Sequence, residues 1–341
     1  MVWKNPWYNP ALSHHTPDGF CNPTAVAHQP GDVKRWRQAR KAAGLPRPPI
    51  AGYDAFIEAW WQKAEFTQGD DGLWWLGHAS VLLRVQGKYL LTDPVFSRRA
   101  SPLRFAGPLR RTPPALSIDE LPALDAILIS HNHYDHLDRW TIQALLRRFP
   151  EVKIFVPLGV GNTLRRFGAR VVTELDWWQQ ASLNGLHLTA VPAQHWSMRT
   201  PWDRNRSLWC GWIVESCALR FWFPGDTGYS EELLLIPQRL GKIDVAALPA
   251  GAYAPRWFMS SNHMDPQSAV SLWQQLGSPL AFPIHWGVFE LADESLDEPV
   301  MELQRALSEA AGENDNFRIL KIGQYLSLSS FKPNAIKSKL Y

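Results

Sequence analysis

The chain has 341 residues, 45% hydrophobic and 20% charged, enough for a sizeable core in one large domain or two ordinary ones. A formal net charge of +3 offers no strong field for nucleic acid, so no nucleic-acid partner is expected. Three cysteines (Cys21, Cys210 and Cys217) with no Cys-x-x-Cys pair exclude a disulfide framework and a thiolate zinc site. No charged start leads into an apolar leader segment, and no apolar run approaches spanning length, so a cytoplasmic location with at most peripheral membrane contact is expected.

Residues 1–50 hold eight prolines and little apolar periodicity, which predicts an irregular arm. In "YDAFIEAWWQKA", Tyr53, Phe56, Ile57, Trp60, Trp61 and Ala64 recur at helical spacing, predicting an amphipathic helix docked on the main body. Residues 1–70 are thus expected to form an arm and helix packed on a domain spanning 71–341. "LWWLGHASVLLRV" and "KYLLTDP" read as strands of a hairpin turning near Gly87. "DAILIS" (125–130) is a short apolar strand, and "DRWTIQALLRRF" a helix capped by Asp138. "KIFVPL", "VVTEL" and "LHLTAVPA" continue the strand series. "SLWCGWIVES" and "LRFWFPGDT" look like an antiparallel pair. "DVAALPA" and "LAFPIHW" are buried-type strands on either side of a helix at "DPQSAVSLWQQLG". A last helix over about 296–311 precedes "FRIL" and "QYLSL". Strands in both halves with helices between them predict two layered sheets flanked by helices.

The chemistry concentrates in "LISHNHYDHLD", residues 128–138. His131 and His133 leave a strand end on one side, and Asp135 and His136 follow in the turn. Imidazoles and carboxylates at H-x-H-x-D-H spacing suit Zn²⁺ or a related divalent metal. Three further residues of ligand type end apolar strands: His195, Asp226 and His285. Together they make a dinuclear centre: His131, His133 and His195 around one ion, Asp135, His136 and His285 around the other, Asp226 between them. No serine paired with a base is in view, so a metal-activated water fits better than a covalent route.

"HNHYDHLD", "QHW", "GDTGY" and "IHWG", in this order, resemble the metallo-β-lactamase superfamily. "WLGHAS", "LTDPVFSRRASP", "ELDWW", "QHWSMRT", "GAYAPRWFM" and "IHWGVF" resemble more closely the N-acyl-phosphatidylethanolamine-hydrolysing phospholipase D family, from about Trp74 to Tyr325. The resemblance implies an α/β fold, an αββα sandwich of two mixed sheets. It implies two zinc ions on the seven residues above and a phospholipid substrate cleaved to N-acylethanolamine and phosphatidic acid. A homodimer is also implied.

Around this core, the resemblance makes His263 a candidate for contacting substrate or protonating the leaving group; alternatively it is an N-capping loop residue before the helix at 265. Tyr134 lies between ligands and faces substrate or the ligands themselves. Asp93 would orient a ligand imidazole through its free N–H. His78 is either a core histidine or a site wall. Arg199 and Arg256 are candidates for phosphate contacts. Arg98, Arg99, Arg104, Arg110 and Arg111 alternate with apolar residues in one loop, which could dock on an anionic bilayer. Rival readings are a lactonase, thioesterase or generic phosphodiesterase on the same scaffold, or a non-catalytic metal-binding, membrane-associated protein.

Overall fold

The computed structural model describes residues 3–24, 28–66, 70–310 and 315–331. The arm begins with a small hairpin, β1 (His15–Thr16) and β2 (Gly19–Phe20), followed by α1 (Asp32–Ala42) and α2 (Tyr53–Trp60). The first half of the main body contains β3 (Gly72–Gly77), β4 (Ser80–Val85), β5 (Lys88–Thr92), β6 (Ala126–Leu128), α3 (Arg139–Arg148), β7 (Lys153–Pro157), α4 (Gly161–Phe167) and β8 (Val171–Leu175). The second contains β9 (Gln180–Leu183), β10 (Leu186–Val191), β11 (Gly211–Glu215), β12 (Arg220–Phe223), α5 (Leu235–Leu240), β13 (Val245–Pro249), α6 (Arg256–Met259), α7 (Pro266–Gln275), β14 (Leu280–Ile284) and α8 (Glu298–Glu309). β15 (Tyr325–Ser327) returns to the first sheet.

One sheet runs β15-β3-β4-β5-β6-β7-β8 and the other β14-β13-β12-β11-β10-β9. Each is mixed. The first changes from antiparallel to parallel after β5, the second after β12. Strand periodicity explains the layering. Trp212, Val214, Phe221, Phe223, Val245 and Ala247 pack into the large core shared with the first sheet. Their neighbours Ile213, Trp222, Ala246 and Leu248 point the other way, into a second core closed by α5, α7 and α8. The result is the expected α/β sandwich with helices outside.

Several local expectations hold. The β4–β5 hairpin turns through Gln86 (φ 51°) and Gly87 (φ 70°), both left-handed, as a two-residue turn requires. The Asp138 carboxylate accepts from the Trp140 N–H at the start of α3.

Others fail for identifiable reasons. "LWWLGHASVLLRV" is two antiparallel strands, not one. Gly77 (φ 105°) and His78 (φ 54°) reverse the chain, and a Cβ on Gly77 would press Val288 at 3.1 Å. The amphipathic helix stops at Trp60. Trp61 instead bridges to Ile322, and the Ala64 N–H donates to the Ala115 carbonyl. α1 was not expected, because "DVKRWRQARKA" has no apolar stripe. It is held by Trp36 Nε1 on Asp293 and by Arg40 on the carbonyls of Glu290 and Leu291. "FRIL" contributes an isolated bridge, Phe317 to Ala281.

Candidate metal centre

The site is assembled from turns at strand ends. His78 comes from the β3–β4 turn, Asp93 from the end of β5, and His131, His133, Asp135 and His136 from the loop after β6. His195 follows β10, Asp226 follows β12, and His285 ends β14. His263 lies between α6 and α7. Gly225 (φ 64°) lets the end of β12 come close, because a Cβ there would lie 2.5 Å from the Ser130 Cβ. His78, Asp93 and His285 all have positive φ, a conformation that non-glycine residues avoid and that concentrates at functional sites. The His285 N–H donates to the His78 carbonyl and the Asp93 N–H to the Leu128 carbonyl, which fixes these turns.

Several overlapping groups of ligand-type atoms result, one of them made of His195, Asp226 and His263, and two matter most here. His131, His133 and His195 form one, and His78, Asp135, His136 and His285 the other. In the first, His133 Nδ1 lies 2.8 Å from His131 Nε2 and 3.1 Å from His195 Nε2. In the second, Asp135 Oδ2 lies 3.3 Å from His136 Nε2 and 3.4 Å from His285 Nε2. Asp226 stands between them, 3.1 Å from both His136 and His285, 3.7 Å from His195 and 4.0 Å from His131. Ligand atoms around a tetrahedral ion at about 2.0–2.1 Å stand roughly 3.3 Å apart, so these spacings match a metal's donor shell.

The hydrogen bonds behind the rings fix which nitrogen faces inward. His136 Nδ1–H donates to Asp93 Oδ2 at 2.7 Å, and His195 Nδ1–H to the Asn262 carbonyl at 3.0 Å. His131 Nδ1–H donates to Ser130 Oγ at 2.8 Å, whose own hydroxyl donates to Asp93. The Nε2 atoms of His131, His136 and His195 therefore face the centre. At His136 that nitrogen meets two carboxylates without an aligned hydrogen bond. A nitrogen facing two anions calls for a cation between them, a proton or a metal, so the residues fit divalent metal.

The charge distribution points the same way. Burial pulls His131 well below its ordinary range, His133 down to about 4, and His78, His195 and His263 to about 3. Burial also opposes charge at His136 and His285, yet Asp226 and Asp135 override it. His136 is held well above its usual value and His285 is raised to about 9. Burial disfavours ionised Asp135 and Asp226, but the facing imidazoles keep both well below the carboxylate range. A dry pocket with two anions gathers positive charge wherever it can.

The supporting residues differ in part from expectation. His78 Nε2–H donates to Asp135 at 3.0 Å, so it belongs to the site and not only to the core. The Asp93 carboxylate accepts from His136 Nδ1. His263 is not the cap of α7, a role taken by Asp265. Its buried Nδ1, without a hydrogen-bond partner, lies 3.9 Å from Asp226, and its ring stacks on His285. Arg199 is no free phosphate contact. Its Nη1 donates to the carbonyls of Asn132 and Leu137, bracing the histidine loop, and it lies over the Tyr134 ring. Tyr134 points its hydroxyl at the Arg199 carbonyl, 2.8 Å away, and leaves its ring as a wall. Arg256 is likewise tied, to Asp265 and to the His263 carbonyl. Asn22, Ser130 and Asn262 also hold the site. Sequence offers little signal for them, because Asn22 acts on the backbone of a residue far away in the chain and Asn262 acts through its own carbonyl.

Beside Tyr134 lies a cavity of about 270 Å³, lined also by Arg139, Trp140, Phe167 and Arg199. Ser101 and Trp140 connect it to a second cavity of about 320 Å³, lined by Arg98, Arg99, Leu103 and Arg104. A larger hollow of about 840 Å³ near Phe317 and Arg318 contains none of the clustered imidazoles or carboxylates.

Known proteins resemble this chain in sequence and fold. The family model described as the beta-lactamase superfamily domain matches residues 88–286, more than half the chain. An N-acyl-phosphatidylethanolamine-hydrolyzing phospholipase D of Caenorhabditis elegans is 41% identical over 240 residues, covering 67% of this chain and 67% of its own length. A mitochondrial protein of the same designation from Saccharomyces cerevisiae is 35% identical over 257 residues, covering 73% of this chain and 54% of its own length. A metallo hydrolase from Ignicoccus hospitalis superposes with a TM-score of 0.55 at 20% identity, covering 75% of this chain and 97% of that one. The fold is thus that of the β-lactamase superfamily, and the relatives support a metal-dependent hydrolase. Within that superfamily, the chain belongs to the N-acyl-phosphatidylethanolamine-hydrolysing phospholipase D family.

Proposed function

We propose that this chain is a dinuclear zinc phosphodiesterase. It hydrolyses N-acyl-phosphatidylethanolamine between phosphorus and the ethanolamine oxygen. Water supplies the hydroxyl that stays on phosphorus and the proton that leaves on the alcohol. The observation that carries this is the convergence of seven ligand-type side chains, three of whose imidazoles (His131, His136 and His195) have their inward nitrogens fixed from behind. His131, His133 and His195 would hold one ion, and Asp135, His136 and His285 the other, with Asp226 shared. Bound zinc supplies two things: a water pKa lowered from 15.7 to about 7 and positive charge on the phosphoryl oxygens. His78 orients Asp135, and Asp93 orients His136 and, through Ser130, His131. His263, with its partnerless Nδ1 3.9 Å from Asp226, would contact the substrate or protonate the leaving group. The cavity beside Tyr134 combines aromatic rings (Tyr134, Trp140, Phe167) with guanidinium groups (Arg139, Arg166, Arg199), a lining that would suit an anionic phospholipid.

Lipid access would come from the adjoining loop. Phe105 is 80% exposed and Trp202 74%, and Arg98 and Arg104 stand beside this cavity. Of the five arginines in this loop, Arg110 is half-buried and donates to the Ser97 and Val95 carbonyls, and Arg111 pairs with Glu290. Only Arg98, Arg99 and Arg104 are therefore assigned to an anionic bilayer, at about 1 kcal/mol per charge. Replacing these three with Ser should weaken binding to anionic vesicles by roughly 10²-fold and leave metal content unchanged. Unaltered binding would remove the docking role.

The activity test is metal analysis of purified protein, followed by assay on N-acyl-phosphatidylethanolamine, bis(p-nitrophenyl) phosphate, a lactone and a thioester. Phospholipid turnover yielding N-acylethanolamine supports the proposal. Fully metallated protein that turns over neither phosphodiester overturns it.

A further inference from the structure

The arm reaches the metal centre through one side chain. Asn22 Nδ2–H donates to the His195 carbonyl at 2.7 Å, and Asn22 Oδ1 accepts from the His195 N–H at 3.2 Å. The same oxygen accepts from Trp209 Nε1 at 3.0 Å. His195 lies beyond the end of β10, where the sheet no longer pairs its backbone. A carboxamide from more than 170 residues away takes the place of a neighbouring strand. With Nδ1 of the ring donating to the Asn262 carbonyl, His195 is fixed at both backbone groups and at its imidazole.

The arm is itself anchored on both sides of Asn22. Upstream, His14 and His15 both bond the buried Asp176 carboxylate, at 2.7 and 2.9 Å, and His14 stacks on Trp177. The Phe20 N–H donates to the Asn205 carbonyl. Downstream, His28 Nε2–H donates to the Phe258 carbonyl, in the segment that leads to Asn262 and His263. These anchors prevent Asn22 from swinging away from His195.

We propose that Asn22 is a positioning residue for His195, so that the N-terminal arm completes the metal centre. This rests on the reading of His195 as a ligand. Groups that orient a ligand typically change metal affinity or activity by about 10–100-fold when removed.

The test uses the full-length protein loaded with zinc or cobalt, comparing wild type with Asn22→Ala, Asn22→Asp and His195→Ala. Four quantities are read: metal per chain, release of each ion to a chelator, the visible cobalt spectrum, and kcat against KM on bis(p-nitrophenyl) phosphate. Asn22→Ala should release one of the two ions roughly 10–100-fold faster and leave the other unchanged. It should also shift the cobalt bands and lower kcat with KM unaltered. Asn22→Asp keeps the acceptor for His195 N–H and Trp209 but loses the donor to the carbonyl, so it should fall between the two, and it carries the test if the alanine variant does not fold. Wild-type release and an unshifted cobalt spectrum in both Asn22 variants would overturn the inference. If His195→Ala still holds both ions as wild type does, the ligand assignment fails and the inference falls with it.

Discussion

The two halves of the metal centre are built differently. The side formed by His131, His133 and His195 offers three imidazoles, backed by neutral partners: the Ser130 hydroxyl, the Asn262 carbonyl and the Asn22 carboxamide. The side formed by Asp135, His136 and His285 contains a carboxylate, faces Asp226 at 3.1 Å, and is backed by buried Asp93. Burial depresses the imidazoles of the first side, whereas the anions raise those of the second. One half therefore depends on geometry and the other on charge. The neutral half should be the more sensitive to loss of orientation, and the charged half the more sensitive to pH.

The largest effect should come from Asp226→Ala, which removes the one group near both halves. We expect a loss in kcat of at least the roughly 10²–10³ that one electrostatic stabiliser is worth, with weakened retention of both ions. Loss of only one ion, measured as metal per chain after dialysis, would show that Asp226 serves a single side. Asp93→Ala comes next, at roughly 10–100-fold in metal affinity, because it frees His136 directly and His131 through Ser130. Ser130→Ala should cost no more than about tenfold and affect chiefly the neutral side, because Asp93 keeps its direct bond to His136, read as faster chelator release of one ion than of the other. The smallest effect is in protons. Metal-free protein at neutral pH keeps His136 and His285 protonated, the latter up to about 9. Metal uptake must displace those protons, so affinity should rise with pH towards that value. Calorimetry in buffers of different ionisation heat should detect release on filling the charged side and little on the neutral side, whose imidazoles are already unprotonated. Equal release from both would erase the distinction.

Periodicity and residue type made much of this legible in advance. The alternation in "GWIVE" and "RFWF" encodes a sheet with two buried faces, and the cores confirm it. "HNHYDH" crowds four ligand-type residues into one turn, a pattern with few other uses. What stayed hidden involves backbone or distant partners. The turn at Gly77 and His78 interrupts an otherwise continuous apolar run, so the strand break could not be seen from hydrophobicity. α1 lacks an apolar stripe because its contacts are made by Trp36 and Arg40, not by a buried face. Arg199 and Arg256 look like phosphate ligands by type, yet backbone carbonyls occupy them. Asn22 grips a main chain, and a main-chain partner leaves no mark on the residue being gripped.

The central claim is that these side chains enclose two ions. Crystals of protein purified with zinc, with diffraction data collected on both sides of the zinc absorption edge, test it directly. The account predicts two anomalous peaks. One should lie among His131, His133 and His195, the other among Asp135, His136 and His285, with an Asp226 oxygen within bonding distance of both. A single peak, or none, in protein that turns over a phosphodiester would contradict it.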